Sequence, residues 1–461
     1  MYFFDIKKLE RITREYFELI EDYFGILYTP GVDKFFQAEK FRILETAAQA
    51  ILVSIEDLEE DLQAFWKKNS SEIISIVENT DIFKVMYSGN PSPLEGVNFI
   101  KKTALYLDTL LIEDPLSFLL NTKKVATDKA YLNQLVKHTF NLLDMKKLFF
   151  GEGSIPLLII FPSIIDEEIR MNIKEKTDKS GDNYFRLLLE RDFSDSDDVW
   201  EYLGGIRSSD QLIKDIKDWR LLFFNESNML DRFNQMHIDI SETFKGQTLS
   251  MGQTLALKMY GQFMNLGTQV FQSQYLSSQI VFDRKDNWNL YKWDINQINQ
   301  MHRGTPDIDN TILYALQTQE FRWLENIDMD KFYLLRNEEE IKSVREALRK
   351  NIHHTLDGVD EDKIKKQASI NLEDVLSEHS RKLEDLSKQL KIKFSIDMLA
   401  LVAGVISSIP VSLAIIPAIG VASTVYGAYD LFTGTAKLVE SKKKINKSLM
   451  GVLIDAKQRS I

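Results

Sequence analysis

The sequence predicts a mainly α fold: a multi-helix body, a small α/β or irregular insert at about 151–235, and an apolar helical hairpin near the C-terminus. Three observations predict it. Apolar residues recur at steps of three and four through most of the chain. That period gives way to one short continuous apolar run, Ile155-Pro156-Leu157-Leu158-Ile159-Ile160-Phe161-Pro162, framed by Gly151-Glu152-Gly153 and a proline, which is a strand signal. Finally, Met398 to Tyr429 places 32 uncharged residues in a row in a chain that is 27% charged.

Composition bounds the rest. A chain of 461 residues has room for about three domains. Its 44% hydrophobic content and 28 phenylalanines exclude general disorder. With no cysteine, disulfides, thiolate chemistry and zinc–sulfur sites are excluded, and a reducing cytoplasm suits it. The net charge of −12 argues against nucleic acid as a general partner. The opening MYFFDIKKLERITREYF does not read as a secretory leader, because a charged helix follows the apolar patch at once. Abundant Lys, Ile and Asn point to a low-GC bacterial source.

Four regions follow, with boundaries at 1–150, 151–310, 311–395 and 396–461. In the first, Asp5 caps a helix to about Tyr23, and Tyr28-Thr29-Pro30-Gly31 breaks the chain. Phe41, Leu44, Ala48, Ile51, Ile55, Leu58, Leu62 and Phe65 then form an a/d seam, which predicts one long helix packed as in a coiled coil. Its opposite face, with Glu56, Asp57, Glu59, Glu60 and Asp61, reads as solvated. Residues 70–150 continue as helix, with a break at Ser88 to Pro93. Asp108 reads as an exposed acid or a helix-end contact, and Asp114-Pro115 as a turn or helix start.

The second region holds the insert and a core helix. Besides the run at 155–162, Phe185 to Leu189 and Leu221 to Phe224 are candidate strands. Asp166-Glu167-Glu168 opens a helix, its acids at the positive end. Two short helices flank Gly204-Gly205, with Ser208 or Ser209 as cap. Asp195-Ser196-Asp197-Asp198 lacks the glycine and closing glutamate of a calcium loop, so it reads as a helix cap. Residues 249–281 form a core helix in which Lys258 is the lone charge, 282–288 a loop, and Trp288, Tyr291 and Trp293 core packing rather than a base-stacking platform.

The third region, 311–395, ends in a leucine-heptad helix: Leu372, Leu376, His379, Leu383, Leu386 and Leu390. The heptad helices offer surfaces for a protein partner or self-association. The fourth region begins with the uncharged segment. Pro410 and Pro417 break it, so a compact hairpin or one kinked pass is expected. Gly404, Ala414, Ala418 and Ala422 supply small residues for close helix approach. Lys437, Lys442, Lys443, Lys444 and Lys447 lie in a basic tail of net +5 over 437–461. Basic residues just past an apolar segment favour an anionic membrane face, here the inner face of the cell membrane.

Catalytic signals are absent. No P-loop, GxGxxG, HExxH, GxSxG or zinc spacing occurs, so no catalytic, metal or cofactor residue is assigned and an enzyme is not favoured. The loosest candidate is a metal-dependent nuclease or hydrolase built on Asp307 and Glu340. In architecture, over the C-terminal third only, the chain is loosely similar to helical pore-forming toxins and membrane-acting bacterial effectors. That similarity implies a non-enzymatic, toxin-like membrane effector, with phage defence as one setting. The alternative is a soluble interaction or scaffold protein whose hairpin is core.

Overall fold

The computed structural model describes residues 5–302, apart from 33–34, 81, 89–106, 124–125, 152–154, 223–228, 244–247 and 283–284. The expected hairpin, basic tail, leucine-heptad helix, and Asp307 and Glu340 lie outside the described residues. What is described is mostly helical, with one small parallel sheet.

Asp5 caps α1 (Ile6–Phe24) by accepting from the Lys8 backbone N–H at 3.1 Å. Leu9, Ile12, Tyr16, Phe17 and Ile20 bury its inner stripe. The chain then turns through Gly31, whose φ of 66° suits glycine, and the Asp144 carboxylate accepts from Tyr28 Oη and from the Gly31 N–H. The expected long helix is two helices, α2 (Gln37–Ile51) and α3 (Ile55–Glu78), joined by a 3-10 turn at Leu52–Ser54. The seam from Leu44 to Phe65 is buried as expected, but Phe41 is 55% exposed and Val53 93% exposed. Periodicity missed the turn because a 3-10 step of three residues carries an apolar stripe across the break. The acidic face of α3 is solvated as expected at Glu56, Asp57, Glu60 and Asp61, with Asp61 accepting from Tyr23 Oη at 2.6 Å; Glu59 alone is half-buried, pairing with Lys123 at 2.8 Å and accepting from Tyr131 Oη at 2.7 Å.

The sheet comprises β1 (Lys84–Ser88), β2 (Thr109–Glu113), β3 (Leu158–Phe161) and β4 (Gln279–Phe282), in the order β3-β2-β1-β4, all parallel. The strands are buried almost throughout, as parallel strands covered on both faces must be. Between β2 and β3 run α4 (Pro115–Thr122), α5 (Asp128–Asp144) and a 3-10 turn, Lys146–Phe149. Between β3 and β4 run α6 (Glu167–Leu189), α7 (Ser196–Gly204), α8 (Ser209–Asp215), a 3-10 turn at Trp219–Leu222, α9 (Met229–Thr243) and α10 (Met251–Tyr275). α11 (Lys285–His302) follows β4.

The strands are therefore not gathered at 151–235 but are drawn from 84 to 282. Of the three expected there, only the run ending at Phe161 is a strand among the described residues. Phe185 to Leu189 closes α6, and Leu221-Leu222 lies in a 3-10 turn. Short apolar runs do not distinguish a buried strand from the buried stripe of a helix. The caps at Asp114, Asp166, Asp195 and Ser208 all form, each side chain accepting from backbone N–H groups in the first turn. α10 begins one residue after Ser250, with a full capping box to Gln253.

Successive residues of a strand point to opposite faces. Glu113 meets Gln272 of α10, whereas the next residue, Asp114, meets Tyr16 of α1 and Trp66 of α3. Helices thus cover the sheet on both sides, with α10 on one face and α1 and α3 on the other. α10 is pressed closely against its neighbours. A Cβ at Gly252 would collide with the Leu203 carbonyl, and one at Gly181 of α6 with the Tyr260 ring of α10.

Candidate ligand site at the carboxyl edge of the sheet

All four strands run the same way, so their carboxyl ends share one edge. Ser88 pairs in register with Phe282, and Glu113 with Phe161. Met86 pairs with Leu111, so two residues on Ser88 and Glu113 stand level and face the same side. That side is covered by α10. From it Gln269 and Gln272, one turn apart, reach the strand ends. Gln269 Oε1 accepts from Ser88 Oγ, both groups buried.

Glu113 is the titratable group of this cluster. Burial pushes its carboxyl above the usual carboxylate range, and the neighbouring Asp114 charge adds to the rise. Ser163, two residues beyond β3, and Gln272 oppose it, as does the Arg170 guanidinium from the second turn of α6. Gln272 is 0% exposed. It lies near enough to influence Glu113, yet among the described residues neither of its amide atoms reaches a partner at hydrogen-bond geometry. A buried amide without partners carries a desolvation cost of about 1–3 kcal/mol.

On the opposite face Asp114 is saturated. It accepts from Tyr16 Oη at 2.7 Å, Trp66 Nε1 at 2.6 Å, Ser117 Oγ at 2.5 Å and the Leu116 and Ser117 N–H groups at 3.0 and 3.2 Å. Two adjacent acids thus differ in role. Asp114 pins α1, α3 and α4 together, while Glu113 faces a cluster with hydrogen-bonding capacity to spare.

The strand order locates this cluster. β1 leads through β2 to β3 on one side, and β4 returns to the other side of β1. In parallel α/β sheets ligands bind outside the carboxyl ends of the strands, at the point where the order reverses. That point lies between β1 and β4, at Ser88 and Phe282. A desolvated carboxyl beside a hydroxyl, amides and a guanidinium is equipped to exchange hydrogen bonds with a small polar ligand. Among the described residues no group of three or more His, Asp or Glu side chains is placed to hold a metal ion.

The residues singled out from sequence fall elsewhere. Asp108 accepts from the Phe83 N–H at 2.9 Å, just before β2 begins, at the opposite end from the cluster. Trp288 and Tyr291 pack on Phe282, and Trp293 on Tyr184 and Phe263, as core. Gly404, Pro410, Ala414, Pro417, Ala418, Ala422 and the tail lysines are outside the described residues. Sequence reasoning missed Glu113, because 105–113 reads as helix. The available signal was Leu110-Leu111-Ile112 running directly into the helix start at Asp114-Pro115, which leaves a strand-length apolar run before a cap. Among the described residues no helix is long and apolar enough to cross a membrane. Family models, curated proteins and solved structures were all compared with the chain, and none matches it.

Proposed function

We propose that the protein is a two-part effector. Its α/β unit holds a small polar ligand at the carboxyl edge of the sheet, and its segment 398–429 acts at a membrane. The first half rests on one observation: Gln272, fully buried and without a partner at hydrogen-bond geometry among the described residues, sits beside Glu113 at the ends of strands ordered β3-β2-β1-β4. The test is thermal unfolding of the full chain against adenosine, AMP, ATP and free sugars. A ligand present at 100 times its Kd stabilises by about 2.7 kcal/mol. The same ligand should lose its effect on Gln272→Leu. A panel without any response, or a response that survives the substitution, counts against the site.

The second half is supported by the 32 uncharged residues and the basic tail of net +5. Liposome leakage tests it, with anionic and neutral vesicles compared at low and high salt. Ala414→Arg, Ala418→Arg and Ala422→Arg should each abolish leakage. Leakage that persists in all three, or a full chain that neither binds nor permeabilises vesicles, leaves the reading of a soluble interaction protein with 398–429 as core.

A further inference from the structure

Across the carboxyl edge the register sets one row of side chains on the α10 side of the sheet, in the order Phe161, Glu113, Ser88, Phe282. The two ends of the row are rings, 0% and 1% exposed, and the polar groups stand between them. Ser88 is already engaged, since its Oγ donates to Gln269 Oε1. The spare capacity belongs to Gln272, which is 0% exposed and has neither Nε2 nor Oε1 at hydrogen-bond geometry to a partner among the described residues. Glu113 beside it is half-buried, as are Ser163 and Arg170, so the cluster has a side toward solvent.

The chemistry of that amide narrows the ligand. A glutamine side chain holds its donor nitrogen and its acceptor oxygen in one plane. A partner whose own donor and acceptor lie side by side in a plane satisfies both with two parallel bonds, as the N6 and N7 edge of adenine does for glutamine. The flat faces of such a partner also suit the rings at either end of the row. A free sugar brings a hydroxyl on nearly every carbon, and each one buried between Phe161 and Phe282 without a partner costs desolvation. A carboxylate or a fully ionised phosphate offers acceptors only, which leaves the amide oxygen unmet.

We infer that the ligand at the sheet edge is held through a planar donor–acceptor edge, that of a nucleobase or of a carboxamide, paired to Gln272. The inference rests on the ligand reading given under the proposed function and adds to it the class of compound and the side chain that selects it.

Titration calorimetry of the full chain with adenosine and nicotinamide tests it. One of the two should bind with one-to-one stoichiometry, and which one identifies the source of the edge. Purine riboside, which is adenosine without the amino group, or N,N-dimethylnicotinamide, which has no amide hydrogen, should bind at least tenfold more weakly than its parent, because a site built for a hydrogen bond rejects the analogue lacking it. Gln272→Met, close in volume, should weaken the parent compound at least tenfold while its Tm stays at or above the wild-type value, since an amide unpaired in the empty site stabilises nothing. An analogue that binds as tightly as its parent overturns the paired edge, and so does full affinity in Gln272→Met. A Tm well below wild type in Gln272→Met also overturns it, because the amide would then be bonded within the fold. Binding of ribose, ATP or inorganic phosphate, with none of adenosine or nicotinamide, overturns this inference alone and leaves a polar ligand at the sheet edge. Absence of binding by all five compounds overturns both.

Discussion

Removing the Asp114 carboxylate strands two buried donors, Tyr16 Oη and Trp66 Nε1, and deprives α4 of its cap. Each stranded donor costs about 1–3 kcal/mol and the cap about 1 kcal/mol, so Asp114→Ala should lose about 4 kcal/mol in urea unfolding. Tyr16→Phe, which removes one donor and leaves the acceptor satisfied by the others, should lose far less. An equal loss from both would show that Asp114 is not the hub. His138 carries a different expectation. It is buried on α5 without a partner for Nδ1 among the described residues, and burial, helped by the Lys137 charge, pushes its pKa down to about 4. The unfolded chain titrates near 6.5, so on acidification the unfolded state takes up the proton first. The contribution is fully present above about pH 6.5 and drains away as pH falls toward 4, a change on the order of 3 kcal/mol. His138→Gln should flatten that part of the pH–stability curve. A curve of unchanged slope would mean that the imidazole meets water in solution.

α2 carries a matched pair of tests. Ile51 is 1% exposed at the end of α2, and Ile51→Asp buries an unpaired charge, costing several kcal/mol. Phe41→Asp, three turns earlier on the same predicted seam, should change stability by about 0.5 kcal/mol or less, because that side chain already faces water. Thermal melts of the two variants decide whether the seam begins at Leu44. Gly252→Ala tests the approach of α10 to α7. Backbone occupies the space its Cβ needs, so a loss of at least about 1 kcal/mol is expected, against a gain if the helices were free to part. These elements also show what sequence could and could not convey. Caps were legible, since Asp5, Asp114, Asp166, Asp195 and Ser208 act over three residues or fewer. The heptad stripe was legible as burial but not as helix continuity. β1 and β2 were not legible as strands, because a strand buried on both faces has no alternation to show. The ligand cluster was illegible for a related reason: Ser88, Glu113, Ser163, Arg170 and Gln272 are scattered over the chain and meet only through the strand order.

The whole chain joins a described α/β unit to an uncharged C-terminal segment, and cutting between them tests the proposed division of labour. Residues 1–395 expressed alone should fold and keep the ligand response of the full chain while losing all vesicle leakage. An insoluble product would favour 398–429 as core. The strand order has a further consequence, which concerns how the molecule is made. β1 pairs with β2 some 25 residues later, but its other neighbour, β4, is synthesised about 190 residues after it. At roughly 5–20 residues per second, β1 leaves the ribosome about 10–40 s before the strand that covers its second edge. During that interval Val85, Met86 and Tyr87 present an unpaired apolar edge, the kind of template on which nascent chains pair with one another. The hazard during synthesis therefore lies with β1, a strand that in the finished sheet is flanked on both sides.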